Sequence, residues 1–170
     1  MSTRQEKIAH LTDQQALSIV DSLAGEFADA DTPERKEDQA QALQTLLSQQ
    51  GETLDVSRIA EADTTTAAQV ARQLLMTMTE VPELQPSLDE WLDTPPTQEA
   101  AAIPLLLAAP IVLTGCIVVL QVAGHITFKR HPDGKWEFGY DPTKQVPLDK
   151  TMKDIVKALV TVMRLPNAGS

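Results

Sequence analysis

The feature that most constrains this chain is a long segment without a formal charge. Between Glu99 and Lys129, residues 100–128 (AAAIPLLLAAPIVLTGCIVVLQVAGHITF) contain no Asp, Glu, Lys or Arg. A segment this apolar is stable only when a bilayer or other protein surface removes it from water. The chain must therefore adopt a fold that covers this segment, and the nature of the cover bears directly on function.

Three arrangements satisfy that requirement. Residues 103–122 are long enough for a helix to cross a hydrocarbon core of about 30 Å, and the small Gly115 and Cys116 would let a second helix approach closely in lipid. Alternatively, the segment is stored under the helical domain, or under copies of itself, and is released towards a membrane. In the third arrangement it stays buried in protein, and Pro110 divides it into a short helix and a β-branched strand, residues 111–123. The sequence favours neither the membrane-active nor the permanently buried interpretation.

The residues before the apolar segment predict short amphipathic helices. Thr12 and Gln15 form a capping-box pattern ahead of apolar positions at helical spacing. Thr32 followed by Pro33 is typical of the N-terminus of a second helix. Further helices are predicted at residues 55–62, after the threonines at 64–66, and from a capping box of Ser87 and Glu90.

The residues after the apolar segment predict a β-hairpin and a final helix. Pro132, Asp133 and Gly134 supply a turn between two short runs of alternating apolar residues. Residues 149–165 then predict an amphipathic helix that covers the aromatic face of the hairpin. The predicted fold is mainly α: an N-terminal antiparallel helical bundle, an apolar helix or a helix plus strand, a β-hairpin and a C-terminal amphipathic helix.

The predicted domain boundaries follow from a proline-containing linker. Residues 94–99 (TPPTQE) oppose helix continuation, and they separate a helical interaction domain, residues 1–93, from an apolar segment with a ββα module, residues 100–165. Residues 166–170 form a tail.

The charge distribution differs between the two halves of the chain. Residues 1–100 contain 6 basic and 19 acidic residues, whereas residues 101–170 contain 8 basic and 5 acidic residues. Nucleic-acid recognition rests on clustered Lys and Arg, so the acidic first half argues against it. A single cysteine excludes an intramolecular disulfide, and no leader-like apolar segment opens the sequence. We therefore expect a cytoplasmic protein, with membrane association as the open alternative.

No motif in the sequence indicates catalysis or a cofactor. His10, His125 and His131 do not stand in a metal-binding spacing, and no glycine-rich phosphate loop is present. Cys116 has no basic neighbour in the sequence that would lower its pKa, so we expect a buried structural thiol. The sequence predicts no catalytic residue, no cofactor and no metal, and hence a protein that is not an enzyme.

The order of elements resembles small uncharacterised bacterial proteins of defence and conflict systems. The resemblance covers mainly residues 82–163 and rests on arrangement: a helical domain, a proline-containing linker, an apolar helix, a hairpin like ITFKRHPDGKWEF and a Lys-bearing last helix. It implies a protein that recruits a partner or acts as an effector, and that does not catalyse a reaction. The partner, such as a protease or a nucleotide-signal sensor, would be encoded elsewhere. It carries over no functional residues.

These observations lead to two functional hypotheses. In the first, the protein is a non-enzymatic bacterial adaptor or effector, a homo-oligomer whose acidic domain binds a protein partner and whose apolar segment drives self-association or membrane insertion. In the second, it is a wholly soluble structural or regulatory protein with the apolar segment as its core. The predicted membrane or self-association residues are Leu105, Leu106, Leu107, Ile111, Leu113, Ile117, Val118 and Leu120. The predicted hairpin surface for a partner comprises Phe128, Lys129, Arg130, Trp136, Phe138 and Tyr140.

Overall fold

The computed structural model describes residues 3–28, 32–33, 36–49, 64–97, 108–124 and 127–139. These residues are mainly helical, as predicted. The helices are α1 (Arg4–Ala9), α2 (Asp13–Phe27), α3 (Lys36–Gln49), α4 (Thr64–Met78), α5 (Gln85–Asp93) and α6 (Ala108–Gly124), and the strands are β1 (Thr127–Arg130) and β2 (Trp136–Gly139).

Helix α2 begins at the capping box that the sequence predicts. The Thr12 hydroxyl accepts a hydrogen bond from the Gln15 backbone N–H at 3.1 Å, and the Gln15 side chain accepts one from the Thr12 N–H at 3.0 Å. These two bonds satisfy donors that the first helical turn leaves without intrahelical partners. The helix then buries its apolar stripe, which includes Leu17, Val20 and Leu23.

Helix α5 begins earlier than the sequence predicts. Ser87 and Glu90 do not form a capping box at its start, because the helix opens at Gln85 with Pro86 inside its first turn. Proline is tolerated there since the first-turn N–H groups have no intrahelical acceptor. The Ser87 hydroxyl instead donates to Glu26 Oε1 on α2 at 2.8 Å. The helix predicted at residues 55–62 lies outside the described residues.

The buried apolar side chains form one core that draws on all six described helices. The core includes Ile8 of α1, Leu43 of α3, Leu88 of α5 and Ile117 of α6, together with the apolar stripes of α2 and α4. It therefore extends across the segment predicted as a linker, residues 94–99. That segment is also attached to the bundle, because Gln15 Nε2 donates to the Pro96 carbonyl at 2.9 Å.

Strands β1 and β2 pair antiparallel, with Phe128 opposite Phe138 in the register. The connecting turn is closed by a hydrogen bond from the Gly134 N–H to the His131 carbonyl, at 2.9 Å. Gly134 has φ of +87°, a left-handed conformation that costs glycine little. β2 packs beside α3. The helix predicted at residues 149–165 to cover this hairpin lies outside the described residues.

Candidate functional site

The centre of the described structure is helix α6, which contains most of the described part of the apolar segment. It packs against α2, α4 and α3. Every side chain from Ile111 to Leu113 and from Cys116 to Leu120 is buried, with exposed fractions between 0% and 7%. A helix with so many apolar side chains and no charged residue must be surrounded in this way or placed in lipid. Within the described residues, the chain's own helices supply the cover.

Residues 111–123 are helical in the structure, and the strand that the sequence allowed as an alternative for them does not form. Pro110 does not mark a change from helix to strand, because it is the third residue of α6. A proline in the first turn removes an N–H that would have no intrahelical acceptor, so the helix continues past it without losing a bond.

Helix α6 approaches α2 and α4 most closely at Gly115. A Cβ atom at this position would lie 2.7 Å from Val20 Cγ1 and 3.1 Å from Leu74 Cδ1. Carbon atoms in ordinary packing contact are about 3.5–4.0 Å apart, so glycine is the residue that fits here without a shift of its neighbours. The close helix approach anticipated at Gly115 therefore occurs, and here it involves two helices of the same chain.

The two amide or hydroxyl side chains of α6 are both hydrogen-bonded to residues at the start of α3 or just before it. Gln39 Nε2 donates to Thr114 Oγ1 at 2.6 Å, and the Thr32 hydroxyl donates to Gln121 Oε1 at 2.7 Å. Thr114 and Gln121 are seven residues apart, just under two helical turns, and thus lie on one face of α6. We call these four side chains the polar latch.

Gln39 is buried but only partly satisfied. It is 3% exposed, and its amide group donates both to Thr114 and to the Pro33 carbonyl, at 2.9 Å. The Pro33 carbonyl only accepts, which fixes the orientation of the amide. Gln39 Oε1 has no hydrogen-bond partner among the described residues. A buried acceptor without a partner loses the hydration that it would have in water, so burial of Gln39 Oε1 contributes an unfavourable free energy of desolvation.

Cys116 lies inside the same core and is fully buried. Burial raises the pKa of its thiol to about 12, because the charged thiolate would be removed from water. The thiol is therefore protonated at neutral pH, and it is a packing residue, as the sequence predicts.

The residues predicted for membrane or self-association divide into two groups. Ile111, Leu113, Ile117, Val118 and Leu120 are all buried in the core, each at most 7% exposed. Leu105, Leu106 and Leu107 lie outside the described residues. The described members of the set can meet a membrane or a second copy only after α6 is uncovered.

The residues predicted as a hairpin surface are also divided. Lys129 is exposed, whereas Trp136 and Phe138 are half-buried and pack against the main core. Trp136 Nε1 donates to Gln41 Oε1 of α3 over a long distance of 3.4 Å. Part of the aromatic face is thus covered by α3. Phe128 and Arg130 are placed in β1 through their backbone, and Tyr140 lies outside the described residues.

The described histidines make local contacts. His131 Nε2 lies 2.8 Å from Glu137 Oε2 across the hairpin, and His10 Nδ1 lies 2.7 Å from the Glu6 carbonyl one turn earlier in α1. His125 lies outside the described residues. In the part of the chain that the structure describes, no group of three His, Cys, Asp or Glu side chains could hold a metal ion.

Ion pairs join helices on the surface of the bundle, α1 with α5 and α2 with α4. Arg4 donates to both oxygens of Asp89 at 2.6 and 2.8 Å, and Arg72 Nη2 lies 2.7 Å from Asp13 Oδ1. The hydrogen bonds from Arg4 hold the pKa of the Asp89 carboxyl below its ordinary value. Since these groups are more than a third exposed, except for the Arg72 side chain at 28%, water screens their attraction and the pairs add little stability.

No helix in the described ranges combines the length and the apolar character of a membrane span.

The polar latch and the fit at Gly115 are the features of this site that depend on long-range contacts. The sequence indicated that Gly115 could permit a close approach, but it did not indicate that Thr32 and Gln39 bind the polar residues of α6.

Comparisons with protein-family models, with curated proteins and with solved structures found no match for this chain. The resemblance to bacterial defence and conflict proteins therefore stays a prediction.

Proposed function

We propose that this protein is a non-enzymatic adaptor or effector that stores its apolar segment inside its own helical bundle and exposes it to drive membrane insertion or self-association. The observation that carries the proposal is the character of α6. It has no charged residue along its length, and its apolar side chains are covered by α2, α3 and α4. A helix without charged residues and with mostly apolar side chains can be buried in hydrocarbon as well as in a protein core, which supports an exchange between the two environments.

The proposed partner-binding surface is the acidic outside of the bundle. Asp21 and Glu26 of α2, Glu80 and Glu83 in the turn after α4, and Glu90 of α5 are exposed. Acidic surfaces accelerate association with basic partners and discriminate against acidic ones. A basic protein partner would therefore bind here, with an association rate that falls as the salt concentration rises.

A second candidate function is favoured by the fit at Gly115. A contact that leaves no room for a methyl group between α6, Val20 and Leu74 is typical of a permanent core. In that case the protein is a soluble structural or regulatory module, and α6 never leaves the bundle.

Flotation with lipid vesicles separates these two functions. The full chain is mixed with vesicles of phosphatidylcholine and phosphatidylglycerol at pH 7.4 and at pH 5, and its distribution in a density gradient is measured. Protonation of carboxylates at the lower pH weakens repulsion between the acidic bundle and the anionic surface. Particle mass in solution, with and without detergent, is measured on the same samples.

The stored-segment function predicts that protein floats with the vesicles under at least one of these conditions, or forms a defined oligomer that detergent dissociates. A monomer that neither floats nor associates under any condition would contradict it and support the permanent core. Replacement of Glu90, which is exposed on α5, by Gln is a matched control. It changes the surface charge by one unit, leaves the cover of α6 intact and should not alter the result.

A further inference from the structure

We propose that Thr32, Pro33 and helix α3 form a lid over α6 that opens before the rest of the bundle unfolds. This inference rests on the proposed function and deepens it, because it names the cover whose opening exposes the apolar helix. The observation behind it is a difference between the faces of α6. One face is held by the polar latch, and the other faces are held by apolar packing.

The contacts with α2 and α4 are close and apolar. Val20 of α2 and Leu74 of α4 are fully buried where they meet α6 at Gly115. Separating these surfaces would expose apolar area to water, and the unfavourable free energy would grow with the area exposed. The two helices also share the largest part of the core with α6, so we expect them to stay packed against it when the lid opens.

The contact with the lid is different in chemistry. Thr114 and Gln121 are hydrogen-bonded to Gln39 and Thr32, and all four side chains have water as an alternative partner. Because hydration replaces these bonds when the lid moves away, opening this face loses far less than opening an apolar face of the same size. Gln39 Oε1, which has no described partner in the closed state, would gain one from water.

The lid is held by apolar contacts as well as by the latch. Among its described side chains, Ala42 and Leu43 of α3 are buried in the core. Opening of the lid exposes these side chains and hydrates the latch, whereas opening of α2 or α4 would break the close apolar contact at Gly115.

Hydrogen exchange measured by mass spectrometry tests the lid on the full chain. In the native protein at pH 7, the amides of residues 36–49 should exchange through an opening that is populated at least about tenfold more than the opening of residues 13–27 and 64–78. Equal protection of all three segments would overturn the proposal.

An apolar latch provides the second measurement. The double substitution Gln39→Leu with Thr114→Val removes the buried polar pair, including the Gln39 hydrogen bond to the Pro33 carbonyl, and keeps similar side-chain volumes. It should slow exchange in residues 36–49 by about tenfold or more relative to residues 13–27 and 64–78. Unchanged relative exchange in a folded variant would overturn the proposal. If the variant does not fold, the comparison between segments of the native chain still decides.

Gln69→Leu is the matched control, because Gln69 is an exposed glutamine of α4 and is not one of the four latch residues. It should leave the exchange of residues 36–49 unchanged. Vesicle flotation of the same variants separates this proposal from the proposed function. If hydrogen exchange shows that the lid opens but the protein neither floats nor associates, the proposed function alone is refuted. Less flotation by the apolar-latch variant would support both the lid and the proposed function.

Discussion

The fit at Gly115 leads to a prediction that reverses the usual effect of replacing a helical glycine. Alanine is favoured over glycine in a helix interior by about 1 kcal/mol, so Gly115→Ala would stabilise an isolated helix. In the bundle, the new methyl group would lie 2.7 Å from Val20 Cγ1, and a β-branched side chain cannot rotate freely away from it. Overpacking of this kind costs about 1–3 kcal/mol. We expect the free energy of unfolding to fall by about 1 kcal/mol.

Gly25 provides the matched control, since it is an exposed glycine in α2. A Cβ atom built at Gly25 meets nothing within 4 Å. Gly25→Ala should therefore raise the free energy of unfolding by about 0.5–1 kcal/mol through backbone entropy alone. The two substitutions are chemically identical and should change stability in opposite directions, because only one of them meets a neighbouring helix.

Urea unfolding of both variants, followed by circular dichroism, measures the difference. The double variant Gly115→Ala with Val20→Ala extends the test, because the removal of the Val20 methyl groups makes room for the added one. In this background Gly115→Ala should be less destabilising, with a coupling of about 0.5–3 kcal/mol. Equal stabilisation by alanine at positions 115 and 25, or a coupling of zero, would refute the packing described here.

Three further substitutions test other parts of the structure. Thr12→Ala removes the capping box of α2 and should lower the free energy of unfolding by about 1 kcal/mol in urea titrations. Asp89→Asn should reduce stability slightly at pH 7 and have no effect at low pH. The pair with Arg4 stabilises the fold above the ordinary Asp pKa, and this stabilisation is lost as the pH falls through the lowered pKa of Asp89. A loss of stability that persists at low pH would contradict this pH dependence. Val118→Lys buries an unpaired charge and should unfold the bundle, as measured by thermal denaturation, whereas unchanged thermal stability would argue against a buried Val118.

The sequence predicted those parts of the structure that depend on local chemistry. The Thr12 and Gln15 capping box was predicted and is confirmed, because both partners lie within one helical turn. The mainly helical character is confirmed for the same reason, since apolar spacing and caps are local patterns.

The sequence did not predict contacts between residues that are far apart in the chain. Ser87 does not cap α5, because the helix begins two residues earlier at Gln85, and its hydroxyl donates to Glu26, 61 residues away. The Thr32 hydroxyl donates to Gln121 of α6. Neither distant acceptor can be inferred from one sequence, because a hydroxyl group donates to local and distant acceptors equally well. The polar latch was missed for the same physical reason.

The secondary structure of the apolar segment could not be predicted from local sequence patterns either. β-branched residues at positions 111–123 favour a strand in isolation, whereas packing on α2 and α4 stabilises a helix. Burial by neighbouring helices outweighs the small differences in intrinsic propensity, which are below about 1 kcal/mol per residue.

The reactivity of Cys116 tests the central claim most directly, namely that the chain's own helices bury α6. It is the single cysteine of the sequence, so any labelling reports on this position. Its thiol is fully buried and its pKa is raised to about 12. A polar disulfide reagent such as DTNB should leave the native protein unmodified at pH 8 over minutes and react fully once urea unfolds the bundle. Rapid, stoichiometric reaction of the native protein would contradict the account.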